Sequence, residues 1–206
     1  MPRKPEYDRN ELIDRARDLF WKQGWAGTSM KDLETVLELK PGSFYAAFGS
    51  KDALFELALE RYAEDGGRRL DILIDELGPM GALQALPFAM IADDEAPAKA
   101  CMLAKSVLEL SGRDHALAEV ADRHLNAMEA RFTRAFRDAQ AAGRINQTLD
   151  PSTLARRYQS DLMGLRISAE REGVDARAIA EEISASLTHL TPQTPEDPAQ
   201  GRADET

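Results

Sequence analysis

The chain has 206 residues, 43% of them hydrophobic, which is enough to bury a core and excludes a wholly disordered protein. No apolar run approaches the roughly 20 residues of a bilayer-spanning helix, and we expect no signal peptide behind Arg3-Lys4. The single cysteine, Cys101, excludes an internal disulfide, so a cytoplasmic location is expected. The net charge of −10 is uneven: residues 1–51 carry nine basic and eight acidic side chains, and the acidic excess lies in the remainder.

The first fifty residues predict three helices. Apolar residues at spacings of three and four predict a first helix over 8–23, followed by a glycine. Ser29, with Asp32 three residues later, is typical of a helix N-cap and predicts a second helix over 29–36. A proline in its first turn favours a third helix over 41–48.

The rest of the chain continues the helical pattern, and no window shows the period-two alternation of a strand. A fourth helix is predicted from Lys51 to about Leu77, kinked at Gly66-Gly67. Further helices are predicted over 97–110, from an Asp114 cap to Gly143, from the Asp150-Pro151 cap to Ala169, and after Gly173 to Leu190. We therefore predict an all-α protein with a three-helix N-terminal domain over 1–50, a larger helical domain over 51–190 and a disordered tail over 191–206.

The helices over 29–36 and 41–48, joined by a tight turn, have the dimensions of a helix-turn-helix. The stretches GWAGTSMKDL (24–33) and KPGSFYAAFGSKDALF (40–55) resemble the DNA-binding domain of the TetR family of regulators. This resemblance implies an all-α homodimer in which ligand binding in the body spreads two DNA-binding heads and relieves repression. One position departs from the family: where glycine is usual in the turn, this chain has Glu38, which costs more in a left-handed conformation.

The resemblance places the second short helix in the major groove of a near-palindromic double-stranded operator. The residues expected to reach base edges are Lys31, Lys40, Pro41, Gly42, Ser43 and Ala46. Lysine can donate to guanine, serine can bond either way, and alanine can touch the thymine methyl group. Phosphate contacts are predicted for Ser29, Tyr45 and Lys51, and a minor-groove contact for the Arg3-Lys4 arm.

The second part of the chain shows no catalytic constellation. Its three histidines, His115, His124 and His189, lack the spacing of a helical metal site, and no phosphate-binding glycine loop is present. We therefore predict a protein that is not an enzyme and carries no cofactor or metal. The main alternative is a helical small-molecule-binding protein or enzyme with a helix-turn-helix shape and no specific DNA recognition. A nonspecific architectural DNA binder would need more basic residues.

An apolar pocket is expected to bind an unknown small-molecule effector, with Arg131 or Arg134 available to an anion. Its predicted lining is Phe88, Met90, Cys101, Met102, Met128, Phe132 and Tyr158, although apolar stripes also serve as helix core. Cys101 has two interpretations. A helix start and nearby Lys105 are features of a reactive thiol, and ACMLA (100–104) resembles a stretch in family members that respond to electrophiles or oxidants. A lone helical cysteine is, however, commonly a small buried hydrophobe.

The last two predicted helices are expected to pair with those of a second copy, because the resemblance implies a four-helix dimer interface. The side chains predicted to form it are Leu162, Leu165, Ile179, Ile183 and Leu187. On this interpretation, a charge at Leu165 or Ile183 yields monomers.

Overall fold

The structure is a computed structural model that describes residues 8–92 and 95–191. Within these ranges it contains helices and no strand, which confirms the all-α prediction. The helices are α1 (Arg9–Gly27), α2 (Met30–Leu37), α3 (Pro41–Phe48), α4 (Lys51–Ile91), α5 (Met102–Ser111), α6 (Leu117–Ala141), α7 (Pro151–Ser168) and α8 (Ala176–Thr188). The Arg3-Lys4 arm and residues 192–206 of the predicted tail lie outside the described residues. No helix in the described part is long and apolar enough to cross a membrane.

Helices α1 to α3 form a head around a small aromatic and aliphatic core. Phe20, Leu33 and Phe44 are fully buried there, each from a different helix. The ring of Phe20 meets the ring of Phe55 of α4 edge-on at 4.8 Å between centroids. The core of the head therefore continues into the first turns of α4, and the head is packed against the body.

The long helix α4 bends at a different place from the one predicted. Its backbone leaves the helical region at Gly78, where φ is 72° and ψ is 169°, and it resumes through Pro79 to Ile91. Gly66 and Gly67 are helical, and the predicted kink there is wrong. They are instead the surface on which α6 approaches α4, because an added Cβ would lie 3.3 Å from Met128 Cε and 3.0 Å from Arg131 Cζ, respectively.

Two predicted helix starts are also wrong. Helix α5 begins at Met102 rather than near residue 97, because Glu170, just after the end of α7, accepts hydrogen bonds from the backbone N–H groups of Lys99 and Ala100 and holds this stretch outside the helix. Helix α6 begins at Leu117, and Asp114 lies in a left-handed turn before it, with φ 53°. The Asp150-Pro151 start of α7 is confirmed, since the Asp150 carboxylate accepts from two backbone N–H groups of the first turn.

The body is a bundle of α4, α6, α7 and α8. Its core includes the rings of Phe132, Phe136 and Tyr158, which meet edge-on. The buried Tyr158 hydroxyl donates to the carbonyl of Leu83 at 2.6 Å, and burial raises the pKa of Tyr158. The hydroxyl therefore serves to connect α7 to the second arm of α4.

Candidate DNA-binding surface and effector cavity

The first helix of the helix-turn-helix begins with a reciprocal cap. The Ser29 hydroxyl oxygen accepts from the backbone N–H of Asp32 at 3.2 Å, and the Asp32 carboxylate accepts from the backbone N–H of Ser29 at 2.8 Å. The Ser29 hydroxyl also donates to this carboxylate at 2.6 Å, and these bonds lower the pKa of Asp32. The predicted capping pair is confirmed, and its hydroxyl already has a partner within the head.

The turn between α2 and α3 contains a residue in the left-handed conformation, and this residue is not a glycine. Glu38 has φ 55° and ψ 32°, the conformation in which the sequence predicted an energetic cost. The following residue closes the turn, because the backbone N–H of Leu39 donates to the carbonyl of Glu34 at 3.1 Å. The Glu38 carboxylate lies 3.3 Å from the guanidinium of Arg15, which also binds Glu11 at 2.6 Å.

Helix α3 presents its predicted DNA-reading residues to solvent and its aromatic residues to the head. Phe44 and Phe48 are buried, whereas the side chain of Tyr45 is 54% exposed with its ring edge-on to Phe44. The other exposed residues of this surface are Ser29, Lys31, Lys40, Pro41, Gly42, Ser43 and Ala46. Space around Gly42 is open, since an added Cβ would meet no atom within 4 Å.

Lys51, the remaining predicted phosphate contact, is half-buried at the start of α4. Its ammonium lies 4.3 Å from the centroid of the Trp25 ring, and burial lowers its pKa. The indole N–H of Trp25 donates to the carboxylate of Asp52 at 2.8 Å. Lys51 thus lies at the junction between head and body and is also partly exposed at the surface.

A cavity of about 650 Å³ lies between α1, α4, α5, α6 and α7. Four of the seven predicted pocket residues line it: Met90, Cys101, Met128 and Phe132. Phe88, Met102 and Tyr158 do not line it, and they pack into the two hydrophobic cores. The predicted anion partners Arg131 and Arg134 do not line it either; Arg131 binds Asp71 at 2.9 Å, and Arg134 is exposed.

The polar wall of the cavity was missed by sequence reasoning. Arg166 of α7 donates through Nε to the carbonyl of Lys99 and through Nη1 to the hydroxyl of Tyr62, both at 2.6 Å. Its guanidinium carbon is 5.3 Å from the ring centroid of Trp21. Burial, and next the neighbouring Cys101 thiol, raises the pKa of Tyr62, so its hydroxyl stays protonated. The available signal was an arginine four residues after Leu162, within the apolar stripe of α7.

The cavity touches the N-terminal head directly. Trp21, which lines the cavity, is part of α1, and its indole N–H donates to the carbonyl of Ala100 at 2.7 Å. Lys105 of α5 donates from Nζ to the carbonyl of Trp21 at 2.8 Å. Residues of the head and the body therefore form the same wall.

The predicted dimer-interface side chains lie mostly inside a single chain. Leu162, Leu165, Ile183 and Leu187 are buried in the core of the body, and Ile179 is half-buried beside them. Leu162 also lines the cavity. Within one chain, these side chains therefore belong to the core of the body. On the outer face of α7, the side chain of Ile167 is 53% exposed.

Family models match both the N-terminal and the C-terminal part of the chain. Residues 12–58 match the family described as bacterial regulatory proteins, tetR family, and residues 82–178 match the tetracyclin repressor-like C-terminal domain. The HTH-type transcriptional repressor ComR of Escherichia coli K12 is 30% identical over 195 residues, covering 91% of this chain and 90% of ComR. The repressor DhaR of a Mycobacterium species is 24% identical, covering 81% of this chain and 86% of DhaR.

Solved structures agree with this assignment. A cysteine-substituted mutant of the TetR family regulator CifR, in complex with 26 bp double-strand operator DNA, superposes with a TM-score of 0.78 at 26% identity, covering 92% of this chain and 100% of that chain. A TetR family regulator from Cytophaga hutchinsonii has the same fold, with a TM-score of 0.80 at 18% identity over 90% of this chain and 96% of its own. The chain belongs to the TetR family and is a DNA-binding transcriptional regulator.

Proposed function

We propose that this protein is a homodimeric repressor that leaves a near-palindromic operator in the bacterial cytoplasm when a small molecule occupies its cavity. The observation that carries the proposal is Trp21, a residue of the head that lines the cavity in the body. A ligand that displaces this side chain acts on α1 without an intermediate element. The family assignment and the named repressors ComR and DhaR support repression over activation.

The proposed DNA contacts follow from the exposed surface of the helix-turn-helix. Helix α3 enters the major groove, where Lys40, Ser43 and Ala46 read base edges together with Pro41, Gly42 and Lys31 of the same surface. Tyr45, Lys51 and the N-terminus of α2 at Ser29 bind phosphates. Because the Ser29 hydroxyl already donates to Asp32, its contribution is made through the exposed start of the helix.

We further propose that the head comprises residues 1–50 and that the body, from 51 to 190, holds both the ligand and the dimer contact. The outer faces of α7 and α8 meet the second copy, with Ile167 at the contact. Two heads held at a constant separation require two half-sites, which is the reason for expecting a palindrome.

The first experiment selects duplexes from a random pool with the purified protein at about 0.15 M ionic strength, where surface charges are screened over about 8 Å. Enrichment of a palindromic sequence is the expected result. A folded dimer that enriches no sequence would favour the alternative, a ligand-binding protein without specific DNA recognition.

Matched variants then test the surface. Lys40→Ala and Tyr45→Phe should each weaken binding of the selected operator about tenfold, since each removes a contact worth about 1–2 kcal/mol. Lys22→Ala is the control, because it removes the same charge from an exposed position of α1 outside the turn and α3. Equal losses in Lys40→Ala and Lys22→Ala would show that net charge, rather than the proposed surface, controls binding.

A second candidate signal is an electrophile or oxidant that reacts with Cys101. Its thiol lines the cavity beside Tyr62, so covalent modification would place new volume between head and body. N-ethylmaleimide should release the operator from the unaltered protein and leave the Cys101→Ser complex intact. Release from Cys101→Ser would exclude thiol sensing at this position.

A further inference from the structure

Arg166 is a buried cation without a counter-ion in the described part of the chain. The residue is only 7% exposed, and its two hydrogen bonds go to neutral oxygens, the Lys99 carbonyl and the Tyr62 hydroxyl. None of the carboxylates in residues 8–92 and 95–191 forms an ion pair with it. Burying a guanidinium without a carboxylate is costly, because water is removed and nothing negative replaces it.

The third guanidinium nitrogen of Arg166 remains accessible. Nη2 of Arg166 has no hydrogen-bond partner among the described residues. Every fully buried side-chain nitrogen or oxygen in those residues does have one, so Nη2 is reached from the space that Arg166 lines. This nitrogen is an unused donor with a positive charge, held in place by the bonds of Nε and Nη1.

The other paired arginines of the cavity do not offer the same charge. Arg17 lies 2.8 Å from the carboxylate of Asp18 and 2.5 Å from that of Asp65. Arg68 also binds Asp65. Opposite charges therefore satisfy these two guanidinium groups at the rim, whereas Arg166 lies deeper, between the aromatic rings of Trp21 and Tyr62.

Apart from Gln159 and the charged side chains, the remaining lining is largely apolar. It includes Leu86, Met90, Leu125, Met128, Phe132 and Leu162. A ligand that complements both the guanidinium of Arg166 and this apolar lining has one negative group and a hydrocarbon or aryl body. The charge is a single one, because one negative group neutralises the buried guanidinium of Arg166. The other arginines that line the cavity are Arg17 and Arg68, which already pair with Asp18 and Asp65, and Arg69, which is exposed to water.

We propose that the effector is an amphipathic monocarboxylate, whose carboxylate binds Nη2 of Arg166 and whose apolar body lies against Met128 and Phe132. This inference rests on the proposed function, since it names the ligand class of the same cavity. A carboxylate bound at Nη2 draws the guanidinium toward the cavity, away from the Lys99 carbonyl and the Tyr62 hydroxyl to which Nε and Nη1 donate. Its binding thereby loosens the wall that Trp21 shares with the body.

The test uses three probes with the same chain and different heads: octanoate, 1-octanol and octylamine. Binding to the DNA-free dimer is measured by titration calorimetry and by tryptophan fluorescence, since Trp21 lines the cavity. Octanoate should bind at least about tenfold more tightly than 1-octanol, and octylamine more weakly than either. Arg166→Gln should lose this preference for octanoate while still binding 1-octanol, which reports an intact cavity.

Arg157→Gln is the matched control, because it removes an exposed arginine from the same helix. It should bind octanoate as the unaltered protein does. Arg166→Lys, which keeps the charge, should retain part of the preference and guards against a folding defect in Arg166→Gln. Equal affinity for octanoate and 1-octanol, or an undiminished preference in Arg166→Gln, would overturn the proposal. Arg166-dependent octanoate binding that leaves the operator complex intact would uphold the site and instead contradict ligand-induced release.

Discussion

The carboxylate of Glu109 accepts a hydrogen bond from the backbone N–H of Trp25 at 3.0 Å. Its second oxygen accepts from the backbone N–H of Ala26 at 2.7 Å, so one side chain of α5 holds the last turn of α1. The same helix begins at Met102, directly after its N-cap residue Cys101 on the cavity wall. Helix α5 therefore connects the cavity at one end to the DNA-binding head at the other.

Substituting Gly24 should disrupt this link. Gly24 has φ 78° and ψ 173°, and a Cβ there would lie 2.8 Å from Glu109 Oε2. We expect Gly24→Ala to lower the free energy of unfolding by about 1–3 kcal/mol, since the backbone is strained and the carboxylate must move. Gly27→Ala is the control, with its nearest contact at an ordinary 3.7 Å. Urea unfolding measures both, and equal stability of the two variants would contradict the expectation.

Removing the charge of Glu109 tests the link without changing the backbone. Glu109→Gln should lower the free energy of unfolding by about 1–2 kcal/mol, because an amide nitrogen cannot accept the second backbone bond. Operator affinity should also fall, since the orientation of the head is less restrained. Glu172→Gln removes an exposed charge outside this link and should change neither quantity. Thermal unfolding measures the stability of the two variants and operator titration measures their affinity. Equal values for Glu109→Gln and Glu172→Gln would contradict the expectation.

Two substitutions of the turn residue Glu38 distinguish the effect of backbone strain from the effect of its charge. Glu38→Asn should stabilise the protein by about 0.5–1 kcal/mol, because asparagine tolerates the left-handed conformation and the exposed pair with Arg15 contributes little. It should also bind the operator more tightly, since an acid next to the DNA-binding surface is removed. Glu38→Gln should show the gain in affinity without the gain in stability. A stability gain of the same size in both variants would rule out backbone strain as the cause.

Helix α7 allows core and interface to be distinguished. Leu165 is 1% exposed, so Leu165→Asp should unfold the body rather than yield a folded monomer. Ile167 is 53% exposed on the same helix, and Ile167→Asp should leave a folded chain that sediments as a monomer and binds the operator weakly. Sedimentation and circular dichroism measure both properties. A folded, dimeric Ile167→Asp would place the interface elsewhere.

Local signals in the sequence determined the helix-turn-helix. The Ser29–Asp32 capping pair and the proline at the start of α3 are each recognisable from a few adjacent residues, and the structure confirms both. The Asp150-Pro151 start of α7 is of the same kind. Caps, turns and helical periodicity depend on hydrogen bonds between neighbours in the chain, and this is why the sequence alone was sufficient for them.

Tertiary packing decided the sensor half. Trp21, Tyr62, Cys101 and Arg166 come from four distant parts of the chain and meet at one cavity wall, which no local pattern indicates. The apolar stripe of α7 was visible in the sequence, but a stripe does not tell whether it faces its own core, a ligand or a second copy. The packing of α4 and α6 against α7 shows which of its side chains are buried within one chain, because burial is a property of the neighbours that each face meets.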